Sequence, residues 1–233
     1  MYTKSTEYFD LLFSFKDYKA ASKLLIQMIK SQAPDSISLL DIACATGPHL
    51  IHLKDSFSVE GLDINPDLLK IAKHKSPEIT FHQADMTNFK LGKEYDVITC
   101  LNASIAYSQT IPRLNSAIRL MAHHTKKDGL LFFEPWISPD SYWEEKIVHN
   151  FSESDNLKIS WMYVGKRENK LVTNEIHYTV GTPDGVYSFQ ETHKMGLFSY
   201  QDYTDALASA GYKLISYNDN GFFGCGLYLA KKI

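Results

Sequence analysis

Cysteine is scarce: the 233 residues carry three, Cys44, Cys100 and Cys225. They stand far apart and match no metal-ligand spacing, so neither a disulfide framework nor a bound metal is expected. A reducing cytoplasm is the expected location. Cationic excess is missing too. Lysine plus arginine is 24 against 27 acidic residues, a net charge of −3 with no basic stripe, which argues against a nucleic-acid partner. No apolar run approaches the ~18 residues that a membrane span needs. The first residues, MYTKSTEYFD, lack an apolar signal core and a cleavage site. There is no internal repeat and no low-complexity tract. What is present has globular composition, 44% hydrophobic and 22% charged, and a chain of this length buries about 70–75% of its unfolded surface.

The pattern along the first 135 residues alternates. DYKAASKLLIQMIK (17–30) places Leu24, Leu25, Met28 and Ile29 on one helical face. ISLLDI (37–42) is nearly all apolar and suits a central parallel strand covered on both faces. ATGPHLIHL reads as a turn feeding a helix. Further strands are expected at 58–64, 78–85, 95–101 and, after a Lys127–Gly129 turn, at LLFFEP. Helices are expected after Asn65-Pro66 and from Pro112 to about Thr125. This order is the signature of a doubly wound, mostly parallel α/β sheet. From residue 136 the character changes: LKISWMYVGKR, KLVTNEIHYTVGTPDG and VYSFQETHKMGLF read as three antiparallel strands. The helical pattern returns at SYQDYTDALASAG, capped by Gly211, and YKLISYN with FFGCGLYLA closes the chain as a hairpin. The expected organisation is one domain: a Rossmann-like, seven-stranded core from 1–135 and 199–233, with an antiparallel three-stranded lid at 136–198. An exposed edge in the 157–198 meander offers a place for two chains to pair, so a homodimer is an open expectation.

In such a sheet, ligands bind beyond the carboxyl ends of the strands, where the strand order reverses. The residues following the five strands are Asp41–Gly47, Asp63, Asp85-Met86, Asn102–Tyr107 and Glu134-Pro135-Trp136. A tight turn of small residues lets a ligand touch backbone, and an acid ending the second strand can accept both hydroxyls of a ribose. The dinucleotide fingerprint G-x-G-x-x-G is absent; the turn reads A-x-A-x-G. Asp85 can accept from an adenine amino group while Met86 covers the ring.

The run DIACATG, then GLDINPDLL, then HQADMTNF resembles the class I S-adenosylmethionine-dependent methyltransferases. Lys16-Asp17-Tyr18, Val59–Asp63, Ala84–Met86, Glu134–Trp136, Glu175–Tyr178 and Glu191–Phe198 resemble the bacterial enzymes that N-methylate dTDP-linked amino sugars, the desosamine and mycaminose type. The resemblance implies S-adenosyl-L-methionine as cofactor. Asp63, with Ile64 beside it, would hold its ribose, and Asp85 and Met86 its adenine. The turn with Ala43, Ala45 and Gly47 would approach its methionine part under Tyr18, and Leu101 to Tyr107 would face the methyl group. Tyr107, Glu175 and His177 would position the acceptor, with Glu134, Trp136, Tyr178, Glu191 and His193 as substrate-binding residues.

Three positions depart from that family. Ala45 stands in place of glycine, Tyr107 in place of a histidine near the acceptor, and Cys225 in place of an arginine that would grip nucleotide phosphates. The expected reaction is transfer of methyl to the nitrogen of a small-molecule amine, nucleotide-linked amino sugars included, in secondary metabolism. Two alternatives stay open: a small-molecule O-methyltransferase with Tyr107 or His177 assisting deprotonation, and a non-catalytic binder of the cofactor. Plainer readings stand beside these. Glu175, His177, Glu191 and His193 can form a solvated cross-strand charge pattern. His123 and His124 suit a helix C-terminus as imidazolium. Cys44 and Cys100 pack as small apolar groups. Tyr8, Phe9, Phe13 and Phe15 pack an entry helix or cover the site.

Overall fold

The computed structural model describes residues 2–233. A 3₁₀ turn at Thr6–Tyr8 leads into α1 (Phe9–Leu12) and α2 (Tyr18–Gln32). There follow β1 (Ser38–Ile42), α3 (Leu50–Leu53), β2 (Ser58–Asp63), α4 (Pro66–Lys75), β3 (Thr80–Gln83) and β4 (Tyr95–Cys100). A second 3₁₀ turn, Ser104–Ser108, precedes α5 (Ile111–His123) and β5 (Thr125–Phe133). Four long strands come next: β6 (Ile147–Ser154), β7 (Leu157–Glu168), β8 (Leu171–Thr182) and β9 (Gly185–Gly196). The chain ends with α6 (Tyr200–Ser209), β10 (Tyr212–Asn218) and β11 (Leu227–Lys232).

Seven strands form one sheet in the order β10-β11-β5-β4-β1-β2-β3. Strands β1 to β5 run parallel, and β11 is antiparallel to both β5 and β10. The strand order reverses between β1 and β4, which places a binding crevice at their carboxyl ends. Each face of the sheet carries its own core: one around Ile98, Leu131 and Met121, the other around Leu39, Val97 and Phe132. Local chemistry sets the helix starts. Asp17 accepts from the Ala20 N–H at 2.8 Å, Asn65 caps α4 ahead of Pro66, and Ser199 with Asp202 forms a capping box on α6.

The second sheet, β6-β7-β8-β9, is antiparallel and has four strands, not three. The additional strand is β6, and its pattern is inverted: Ile147 and Phe151 face solvent at 64% and 55% exposure while Ser152 faces inward. Alternation gives no buried stripe there, so nothing in the pattern marks a strand. β5 also begins five residues earlier than the LLFFEP reading. The Lys127–Gly129 turn lies inside it as a bulge, with Asp128 at φ 65° and the register shifting from Tyr95↔Thr125 to Val97↔Leu130. His124 is not an exposed imidazolium. It is 1% exposed and burial pushes it toward the neutral form; Nδ1 bonds the Leu120 carbonyl at 2.8 Å and Nε2 accepts the Leu91 N–H at 3.0 Å. Cys44 and Cys100 are buried free thiols. Among the described residues, no helix is long and apolar enough to cross a membrane.

The amino-terminal segment ties the two sheets together. Tyr8 and Leu12 share a core with Ile159, Tyr178 and Val180 of the antiparallel sheet, and the Tyr8 hydroxyl bonds that of Tyr187. On the parallel-sheet side, Asp10 pairs with Lys75 at 2.7 Å and accepts from the Thr46 hydroxyl at 2.5 Å. Asn65 Nδ2 donates to the Tyr2 carbonyl at 2.8 Å.

Candidate active site

A cavity of about 410 Å³ opens where the strand order reverses. Its floor is the carboxyl ends of β1, β2 and β4, its roof the inner face of β7 to β9, and its side the amino-terminal segment through Tyr2, Phe9 and Phe13. Phe15 is 63% exposed and takes no part.

The turn after β1 is the first wall. Ala43 and Ala45 sit at φ 58° and 50°, a left-handed conformation in which a side chain beyond Cβ is costly. The alanine that replaces a glycine at position 45 therefore adopts the glycine angle with its methyl group in place. Its N–H donates to Asp63 Oδ2 at 2.9 Å. Gly61 in β2 has a steric reason to be glycine: a Cβ there would come within 2.7 Å of Cys44 Sγ and of the Phe81 ring. The loop after β4 repeats the strain, with Asn102 and Ala103 at φ 55° and 59°. Non-glycine residues in this region cluster at binding sites.

Asp63 ends β2 and is 7% exposed. Its Oδ1 accepts the Asn65 N–H at 2.8 Å. Burial raises its pKa, and the donors at Asn65, Ala45 and Ile64 oppose that rise. A carboxylate held by backbone donors on the wall of a cavity is placed to accept hydroxyl groups from a ligand. Asp85, after β3, is more committed: Oδ1 accepts from the Thr87 N–H and hydroxyl, both at 2.8 Å, and Oδ2 pairs with Arg113 at 2.9 Å. Burial pushes its carboxyl up, but those bonds outweigh it and hold it below the usual range.

Asp41, closing β1, is also on the wall and 3% exposed, with Oδ1 accepting from the Thr99 hydroxyl at 2.7 Å. Burial pushes its carboxyl up to about 7; the Thr99 bond opposes this and the nearby Asp63 charge adds to it. The folded protein thus holds a proton that the unfolded chain releases. This contribution to stability is complete below about pH 4 and is lost as the pH rises through the raised folded value. Asp41→Asn is expected to flatten the stability profile between about pH 4 and 7, and to raise stability at pH 8 by about 1–3 kcal/mol. Urea denaturation across that range reads the slope; an unchanged slope contradicts the assignment.

Of the cofactor-side expectations, Tyr18, Ala43, Ala45, Asp63, Ile64, Asp85, Met86 and Leu101 line the cavity. Gly47 does not: at φ 73° its N–H closes the turn on the Cys44 carbonyl at 2.8 Å. On the opposite side, Tyr107, Trp136, Tyr178 and His193 line the cavity, and so does Cys225. The Tyr107 hydroxyl bonds His193 Nδ1 at 2.6 Å, and His193 Nε2 lies 3.7 Å from Glu191 Oε2. Burial pushes His193 toward neutrality against the pull of Glu191.

Four expected acceptor residues stand elsewhere. Glu175 and His177 face solvent on β8, 3.3 Å from each other, with side chains 61% and 52% exposed. The register explains this: Glu175 lies opposite Thr192 and His177 opposite Gln190, so the β8 residues in phase with Glu191 and His193 are Ile176 and Asn174. Glu191 is buried, but its carboxylate is consumed by the amino-terminal segment, accepting from Thr3 N and Oγ1 and from Ser5 N and Oγ at 2.5–3.0 Å. Burial opposes its ionisation, yet bonds from His193, Ser5 and Thr3 hold its pKa well below the usual range. Glu134 is fully buried behind the wall; Oε2 accepts the Asn102 N–H at 2.7 Å and Oε1 the Phe222 N–H at 3.0 Å.

Sequence reasoning missed Tyr2, Lys16 as a wall residue, His49, Arg113, Trp161, Tyr163 and Asn174. For Asn174 and Trp161 the available signal was the strand parity that buries Tyr178 and Ile159.

Residues 39–129 match a family described as a methyltransferase domain. The chain is 33% identical over 215 residues to the dTDP-3-amino-3,6-dideoxy-alpha-D-glucopyranose N,N-dimethyltransferase of Streptomyces fradiae, covering 91% of this chain and 84% of that protein. Among solved structures, Streptomyces venezuelae DesVI superposes with a TM-score of 0.93 at 29% identity, covering 100% of both chains. CalS10, an amino pentose methyltransferase from Micromonospora echinaspora solved with S-adenosylmethionine bound, gives 0.88 at 26% identity, covering 100% of this chain and 98% of that one. The strand ends, the carboxylate at Asp63 and these likenesses over nearly the whole chain lead to one conclusion: this chain belongs to the S-adenosylmethionine-dependent methyltransferases, in the family of the bacterial sugar N-methyltransferases.

Proposed function

We propose that the enzyme methylates the amine nitrogen of a nucleotide-linked amino sugar, the substrate class named for its relatives. One observation carries the choice of nitrogen. The three carboxylates on the cavity wall, Asp41, Asp63 and Asp85, all belong to the crevice floor at the ends of β1 to β3, and none comes from the β7–β9 roof. That roof presents Trp161, Tyr163, Tyr178 and His193. A hydroxyl acceptor needs a base to ionise it, a term worth about 10²–10⁴-fold. An amine attacks as the free base and sheds its proton afterwards.

The residues present fit the cofactor: a buried carboxylate between backbone donors, small side chains at left-handed positions beside it, and apolar Ile64, Met86 and Leu101 on the same wall. Asp63 would hold the ribose, Asp85 and Met86 the adenine, and the Ala43–Ala45 turn with Tyr18 the amino-acid part. Bound S-adenosylmethionine supplies a methyl group on a sulfonium, already activated for in-line displacement. The protein supplies orientation, which contributes about 7–11 kcal/mol in well-aligned reactions. Tyr107 is the residue placed to align the amine. His193 fixes its hydroxyl at 2.6 Å, and burial keeps the phenol protonated. With that proton directed at Nδ1, the phenol oxygen keeps its lone pairs for an amine N–H. His177, exposed on β8, has no part in this, and neither has Glu175. Glu191 acts through the amino-terminal segment and His193, and Glu134 through the loop after β4.

A cytoplasmic location is part of the proposal, with Cys44, Cys100 and Cys225 as free thiols. So is a homodimer, for which the free sheet edges are β6 and β9 and the exposed apolar side chains Ile147, Phe151, Met162 and Val164. The test of function is turnover of the cofactor with a matched pair of acceptors: a dTDP-linked 3-amino sugar and its 3-hydroxy counterpart. S-adenosylhomocysteine is expected with the amine alone, at a rate rising with pH as the amine loses its proton. Turnover of the hydroxy sugar alone would overturn the proposal.

A further inference from the structure

One end of the cavity holds a cation with no counter-charge. Lys16 lies one residue before the Asp17 cap of α2, and its side chain is on the cavity wall. Nζ donates to Asn102 Oδ1 at 2.8 Å and stands 4.8 Å and 5.3 Å from the ring centroids of Phe223 and Phe13. All three partners are neutral. Among the described residues, no carboxylate forms an ion pair with Lys16, whereas Arg113, the other strong cation on the wall, is paired with Asp85. Glu134 is near enough to act on Lys16 through its field, but its oxygens are taken by backbone N–H groups. His49 shares this end of the cavity, 2% exposed, with Nδ1 3.0 Å from the Ser22 hydroxyl and Nε2 unpartnered. Burial and the Lys16 charge hold this imidazole neutral. Burial also lowers the Lys16 pKa. An ammonium drawn out of water with only neutral partners is costly, and an anion delivered to it recovers a charge-assisted hydrogen bond.

We infer that Lys16 is an anion-binding residue whose partner is the carboxylate of the cofactor's amino-acid chain. The inference rests on the methyltransferase reading and goes further, to a residue and a ligand atom group. Two anions have a claim on such a site: this carboxylate, or a phosphate of a nucleotide-linked acceptor. The position favours the carboxylate. Lys16 neighbours Tyr18, whose ring is edge-on to His49 at 5.0 Å, and His49 follows directly on the turn after β1. That is the floor of the cavity beside Ala43 and Ala45, not the roof of β7 to β9.

The experiment is equilibrium binding by calorimetry, with S-adenosylmethionine and decarboxylated S-adenosylmethionine as probes and wild type, Lys16→Met and Lys16→Arg as proteins. The two probes differ only in the carboxylate. Wild type is expected to prefer the carboxylated probe by about 10- to 100-fold, the usual worth of a hydrogen bond between charged groups. In Lys16→Met that preference is expected to vanish while decarboxylated S-adenosylmethionine binds as it does to wild type, which also shows the variant is folded. Lys16→Arg is expected to retain most of the preference. A preference that survives in Lys16→Met overturns the inference, as does equal binding of both probes by wild type. Loss of thymidine diphosphate binding in Lys16→Met, with the preference intact, would assign Lys16 to the acceptor phosphate instead and overturn the carboxylate assignment. If wild type binds neither probe, the cofactor reading falls, and this inference with it.

Discussion

Asp63→Ala is expected to weaken binding of S-adenosylhomocysteine by about 30- to 1,000-fold, the equivalent of about 2–4 kcal/mol. The estimate follows from what the carboxylate does. It stands at the end of β2, almost out of solvent, held by backbone donors at Ala45 and Asn65. Those donors keep it in place against the burial that raises its pKa, so a ligand's hydroxyls meet an anchored acceptor rather than one that must be ordered first. The same substitution strips two N–H groups of their acceptor, so some stability is lost too. Asp63→Asn separates the effects, because an amide oxygen can keep one backbone donor satisfied while the charge is gone. Calorimetry on both variants, with thermal unfolding in parallel, reads the two contributions. Retention of wild-type affinity by a folded Asp63→Ala protein would show that the nucleoside lies elsewhere.

Glu134→Ala is expected to cost about 3 kcal/mol of folding stability, and its effect on the site should follow from that loss. The side chain is fully buried, and each carboxylate oxygen takes a backbone N–H from a different loop, Asn102 after β4 and Phe222 between β10 and β11. Removing it leaves a void and two buried unsatisfied donors, each costing about 1–3 kcal/mol. Asn102 is held at φ 55° and accepts from Lys16, so the disturbance reaches the cavity through that residue. Glu134→Gln should fare little better, since an amide nitrogen would face one of the two donors. Urea denaturation measures the cost. If either variant unfolded like wild type but raised KM for the acceptor tenfold, Glu134 would be a substrate ligand and not a pin.

How much of this was legible before the structure depends on the range of each signal. The parallel strands declare themselves through short apolar runs, and the acids ending them, Asp63 and Asp85, follow from where such strands stop. The β8 and β9 residues were harder. Alternation shows that Glu175 and His177 share a face, but which face looks inward depends on pairing, and the observed register turns them to solvent while Asn174 and His193 turn in. β6 was invisible because its apolar residues point outward. Glu191 read as a free acid because its partners, Thr3 and Ser5, lie 188 and 186 residues away. Lys16 carried only the mark of a family motif; its lack of a counter-ion is a property of three-dimensional neighbours that no spacing reveals.

Transfer of an isotopic label tests the central claim most directly. With S-adenosylmethionine carrying a ¹³C methyl group and a dTDP-linked 3-amino sugar as acceptor, carbon NMR of the product is expected to show the label bonded to nitrogen, and Asp63→Ala is expected to abolish the signal under the same conditions. Label found on oxygen, or label transfer undiminished in Asp63→Ala, would contradict the assignment of this cavity as the seat of N-methylation.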